Sequence, residues 1–157
     1  MIYIGLDPST HFGWAVLDSD GNRIDSGVWE IKGDSWEGAG YRWLRLEKEL
    51  RNVVVDAVQL HDDVVVGYEA VKQRHRSSDA ARAYFGCIAV VTKLCEELKI
   101  PYTGINISDI KKQATGKGKA SKEEMVAAAN KHWSIEVSDD NEADALWCAS
   151  RLRWELT

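Results

Sequence analysis

Residues 2–9, Ile2-Tyr3-Ile4-Gly5-Leu6-Asp7-Pro8-Ser9, decide how the chain is read. Residues 2–6 make a buried strand, Asp7 stands at its end, and Pro8-Ser9-Thr10 stops it. A carboxylate there is costly unless something neutralises it. The pattern recurs in Val64-Val65-Val66-Gly67-Tyr68-Glu69, and a third acid, Asp144, lies in the apolar run Ala143-Asp144-Ala145-Leu146-Trp147. If the strands ending in Asp7 and Glu69 are parallel neighbours, their acids share the carboxyl edge of the sheet, where open α/β folds bind ligands. Asp144 would project from the last helix toward that edge, with Asn141 and Asp140 three and four residues before it on the same face. One strand-end acid reads equally as a turn or cap. Three at compatible places suit Mg²⁺ or Mn²⁺, which take hard oxygen ligands, and so point to metal-assisted phosphodiester chemistry.

Working outward, 12–18 and 24–31 read as two further strands joined by the turn Asp18-Ser19-Asp20-Gly21-Asn22. Trp36, Trp43, Leu44, Leu46, Leu50, Val54 and Val58, at mixed spacings of three and four, predict a long helix over 36–60. Strand 64–69 follows, then an Ala-rich helix over 78–99 ended by Ile100-Pro101, and a short strand over 102–107. Two helices close the chain, over 121–132 and 141–155, the first opened by the capping-box pattern Ser121-Lys122-Glu123-Glu124. A meander followed by alternating strands and helices implies an α/β fold, a mixed sheet with helices on its faces.

The 157 residues, 45% hydrophobic, suit a single domain spanning 1–157 with a substantial core. With no basic-apolar leader and no run long enough for a membrane span, the expectation is a soluble protein of the cytoplasm, in a bacterial cell or the host cell of a phage, with no membrane partner. Cys87, Cys95 and Cys148 lack metal-ligand spacing and read as reduced core thiols. The net charge of −5 hides an asymmetry. Residues 72–122 hold eleven Lys or Arg against four acids, a balance of +7, which leaves −12 for the rest. A basic middle beside clustered acids is what a metal-dependent enzyme acting on a polyanion needs, although solvated helix faces would give the same count.

These motifs together resemble the RuvC family of Holliday junction resolvases, in the retroviral integrase and RNase H superfamily. The resemblance spans nearly the whole sequence. It rests on Ile4–Ser9, on Tyr68-Glu69, on Asp109–Lys122 with its Thr115-Gly116-Lys117-Gly118 turn, and on Glu142–Leu146. It implies an RNase H-like fold with a mixed five-stranded sheet flanked by helices, and a homodimer that cuts four-way DNA junctions symmetrically. Asp7, Glu69 and Asp144 would be ligands of two Mg²⁺ ions per active site, with Mn²⁺ able to substitute, and Lys111 and Lys122 would serve cleavage and phosphate contact. Two positions depart from the family. Asn141 stands where an Asp or His is common, and is a weaker and neutral metal ligand. Lys72 stands where cellular resolvases carry an aromatic that probes the junction core.

The remaining expectations follow from residue type. Lys72, Arg74, His75 and Arg76, with Lys112, Lys117 and Lys119, are candidate DNA contacts. Ala80, Ala83, Gly86, Ala89 and Val90 form a small-residue stripe that permits close helix approach, and the resemblance makes it a dimer seam. The seven tryptophans are expected mainly in the core. Two other functions share parts of the pattern: a noncatalytic branched-DNA-binding protein of the same fold, and an actin-like ATPase. The second needs two large domains that 157 residues cannot hold.

Overall fold

In β1 (Ile2–Asp7) every residue is buried, as a central strand covered on both faces requires. β1 pairs antiparallel with β2 (His11–Leu17), which pairs antiparallel with β3 (Arg23–Glu30). On its other side β1 pairs parallel with β4 (Val64–Ala70), and β4 pairs parallel with β5 (Tyr102–Asn106), giving the order β3-β2-β1-β4-β5. The computed structural model describes residues 1–60, 63–71 and 77–157.

Alternation along β1 and β4 divides the core. Ile2, Ile4, Leu6, Val64 and Val66 pack with α1 (Tyr41–Leu60) and α2 (Ser78–Leu98) on one face. Tyr3, Val65, Ala15 and Leu17 pack with α3 (Ile107–Thr115), α4 (Lys122–Trp133) and α5 (Asp140–Leu156) on the other. Each fully buried Ile or Leu contributes about 2 kcal/mol of transfer free energy. Cys87, Cys95 and Cys148 are buried and unbridged, and no described helix is long and apolar enough to cross a membrane.

Two expected element boundaries are corrected. α1 begins at Tyr41, not at 36. Gly38 and Gly40 disfavour helix there, and the Asp34 carboxylate accepts the Trp36 N–H at 3.1 Å, which fixes a turn instead. Trp36 is 93% exposed rather than in the core. Beyond β5, the lysine segment, to which the sequence assigned no helix, contains α3, capped by the Asn106 side chain and ended by Gly116 at φ 79°. Only Ile110 of this helix is buried, so its apolar period is faint in the sequence.

The small-residue stripe of α2 divides by burial. Ala83 and Val90 are buried within the protomer, and a Cβ on Gly86 would collide with the Trp43 ring of α1. Gly86 and Val90 serve packing between α1 and α2 inside one chain, and Ala83 lines a groove beside them. Ala80 and Ala89 are exposed.

Candidate metal and nucleic-acid site

The register of β1 and β4 runs from Ile2 opposite Val64 to Leu6 opposite Tyr68, which puts Asp7 beside Glu69 at the carboxyl edge. Both carboxylates are buried, at 9% and 8% exposure, and they are the buried charged residues of the described chain. They lie on the face that α5 covers, in step with Gly5 and Gly67 two residues earlier on each strand. A Cβ on Gly5 would collide with the Ala145 carbonyl and with Ala149, and one on Gly67 would come within 3.1 Å of Leu152. The paired glycines let the α5 backbone lie almost on the sheet, and Asp144 comes down with it.

The charges behave as one cluster. Burial, then the neighbouring Glu69, Asp144 and Asp140 charges, push the Asp7 carboxyl well above its ordinary range. Burial and the Asp144 charge raise Glu69 to about 8, against the opposing pull of Lys111. Burial and Asp140 raise Asp144 to about 6, with Lys111 and Lys122 opposing. Three acids crowded into one buried edge in this way create a strong demand for positive charge.

The two lysines expected at the site are both brought to it. Lys111 sits on α3, which Gln113 fastens to α5 by donating to Ser150 at 3.0 Å. Lys122 opens α4 and pairs with Asp140 at 3.0 Å, with the lysine 76% and the carboxylate 26% exposed. The Lys122 ammonium is held protonated above its ordinary range by the Asp140 bond and charge, with Asp144 and Asp7 adding to it. Lys117 pairs instead with Glu124 at 3.3 Å, and Lys112 and Lys119 are exposed. Lys72, Arg74, His75 and Arg76 lie outside the described residues.

Asn141 and Asp140 divide their tasks. Asn141 directs its amide N–H to the Asp139 carboxylate at 2.9 Å, within the cap of α5, whereas Asp140 couples to Asp7 and Asp144. The neutral residue therefore braces the helix start and the acidic one adds to the cluster.

A hard divalent cation fits this donor set. Asp7 and Glu69 are already desolvated, and Asp144 Oδ1 is buried without a hydrogen-bond partner. Among the described residues, no three His, Cys, Asp or Glu side chains are arranged to hold a metal ion as they stand. Asp7, Glu69 and Asp144 are gathered at one edge of the sheet without forming a closed cage.

Some contributors were not singled out from the sequence. The Tyr84 hydroxyl of α2 donates to the Glu69 carbonyl and accepts the Val71 N–H, each at 3.0 Å, which ties down the strand end that carries Glu69. Tyr84 is 13 residues beyond Val71 in the chain, so only the fold reveals the contact. The glycines at 5 and 67 did carry a signal, since an isolated glycine in a strand marks a close approach.

A five-stranded mixed sheet with helices on both faces and acids at the ends of its parallel central strands is an RNase H-like fold. Within that class, the chain is similar to a Thermus thermophilus RuvC structure, with 20% identity, a TM-score of 0.76 and coverage of 99% of this chain and 95% of that one. It is also similar to a T. thermophilus RuvC structure described as in complex with a Holliday junction substrate, with 21% identity, a TM-score of 0.74 and coverage of 96% and 92%. Neither a protein-family model nor a curated protein matches the chain.

Proposed function

We propose that the chain is a divalent-metal-dependent, structure-specific endonuclease that cuts four-way DNA junctions and other branched DNA, acting as a homodimer. The observation that carries this reading is the convergence of Asp7, Glu69 and Asp144 on one sheet edge with Lys111 and Lys122 beside them. The structural likeness to a RuvC described with a Holliday junction supports the choice of substrate.

Asp7, Glu69 and Asp144 would hold two Mg²⁺ ions, or Mn²⁺ in their place, with Asp140 at their flank. Such ions, when bound, supply an activated water and charge stabilisation for the leaving 3′ oxygen. The chain's own residues then account for the rest. Lys122, at the first turn of α4, brings a cation to a helix start whose N–H groups favour phosphate. Lys111 offers a second positive charge on the opposite helix, and the Tyr84 bonds hold Glu69 in place. Lys112, Lys117 and Lys119, with Lys72, Arg74, His75 and Arg76, would bind backbone phosphates, which carry no base identity directly. Branch shape, rather than a short sequence, is then the feature selected, so Y-shaped and flap DNA should be cut as well.

Incubation of a synthetic four-way junction with the full chain, with and without Mg²⁺, tests the reading. Symmetric nicks that need the metal support it. Tight binding with no cleavage would make the chain a noncatalytic branched-DNA-binding protein.

A further inference from the structure

Trp36 is the most exposed large apolar side chain of the described residues, at 93%. The other tryptophans find cover. Trp14 stacks on Trp29 at 5.1 Å, Trp133 packs on Trp147 at 4.8 Å, Arg42 lies over Trp43, and Arg151 lies over Trp154. Among the described residues no ring or cation covers Trp36.

Its loop is nonetheless built. Besides the Trp36 N–H bond to Asp34, the Asp34 N–H donates to Glu37 at 3.2 Å, and Glu37 pairs with Arg45 of α1 at 2.8 Å. Arg45 also donates to the Lys32 carbonyl at 3.3 Å. An indole displayed on a turn braced from both sides differs from one at the tip of a slack tail, because little ordering entropy remains to oppose a contact.

The position of the loop suggests what the indole meets. Residues on either side of Trp36 wall a cavity of about 150 Å³, which shares Lys32 and Arg42 with a groove of about 730 Å³. That groove starts at Pro8, the residue after Asp7, and also touches Val71, two residues after Glu69. Its acids are engaged locally, Glu30 by His11 at 2.6 Å and Asp79 by Arg82 at 3.7 Å. Lys32 and Arg42 have no acidic partner among the described residues. Lys32 and Arg42 thus border both the groove and the smaller cavity beside the exposed aromatic.

We propose that Trp36 stacks on an unpaired base of bound branched DNA, whose backbone follows this groove past Arg42 and Lys32. The inference rests on the branched-DNA reading and adds to it the residue that meets a base. Base–aromatic stacking tolerates any sequence, since every base has a π-face. The occupant is DNA rather than a second copy of the chain, because Lys32 and Arg42 near the indole carry no ion pair among the described residues and complement phosphate.

The test uses the full chain and a four-way junction carrying 2-aminopurine next to the branch point, with Ca²⁺ in place of Mg²⁺ so that binding is read without cutting. The expected result is a fluorescence change on binding that Trp36→Ala abolishes, with affinity weakened about 5- to 150-fold. Trp36→Phe should retain most of both, and Trp154→Ala should match the wild type. Unchanged affinity and fluorescence in Trp36→Ala would overturn the stack while leaving the nuclease reading intact. So would conversion of a dimer to a monomer by Trp36→Ala in sedimentation, which would assign the indole to a contact between copies. Junction binding without Mg²⁺-dependent cutting by the wild type would instead overturn the nuclease reading alone, because the stacking experiment needs no cleavage.

Discussion

Asp7 and Glu69, 62 residues apart in the chain, are buried next to each other because parallel register sets the ends of β1 and β4 side by side. Neither acid has an apolar substitute in that place that would keep the demand for a cation. Asp7→Asn, Glu69→Gln and Asp144→Asn should each lower cleavage by roughly 10²-fold or more, while junction affinity holds or improves, since the acids repel phosphate. Single-turnover rates and filter binding on the same junction check this.

The raised carboxyls make a pH prediction for the metal-free protein. Folded Glu69 titrates near 8 against an ordinary 4.5, and folded Asp144 near 6 against 3.8, with Asp7 shifted in the same direction. Between the ordinary and raised values the folded state holds protons that the unfolded state has released. Stability should therefore fall as pH rises from about 4 through about 8. Thermal melts in EDTA across that range should show the decline. Glu69→Gln should flatten it and raise the Tm at pH 8, and Mg²⁺ should restore wild-type stability there.

Lys122 is held by Asp140 at 3.0 Å, within the field of Asp144 and Asp7. If its charge acts on the scissile phosphate, Lys122→Ala should reduce turnover about 10²-fold, with a much smaller change in affinity. Lys111→Ala should act in the same sense but less strongly. Equal losses in binding and rate that low salt restores would mark an ordinary electrostatic contact.

Gly5 makes room for the backbone of α5. Gly5→Ala should force that helix off the sheet, costing about 1–3 kcal/mol in urea unfolding, and should slow cleavage by displacing Asp144. Tyr84→Phe, which removes only the hydroxyl that ties Glu69 and Val71, should cost about 1 kcal/mol and slow cleavage with junction binding unchanged.

The acids were legible in the sequence because three of them end or interrupt apolar runs at compatible places, whereas any one alone reads as a turn or cap. Lys122 was legible through the Ser121 capping pattern, and its side chain does reach Asp140. α3 was not, since a nine-residue helix with one buried position leaves almost no period. The start of α1 was misplaced because Trp36 continues the apolar spacing of a helix while the glycines after it and the Asp34 turn oppose one. The small residues of α2 favour close approach without naming the partner, and Gly86 met Trp43 of its own chain.

The most direct measurement of the central claim is cleavage of a synthetic four-way junction by the wild type and Asp144→Asn at matched occupancy, over a Mg²⁺ titration. Wild-type nicks that rise with Mg²⁺, paired symmetrically across the junction and lost in Asp144→Asn, are the predicted result. Cutting that persists in EDTA, or that Asp144→Asn leaves intact, would contradict a metal site built on Asp7, Glu69 and Asp144.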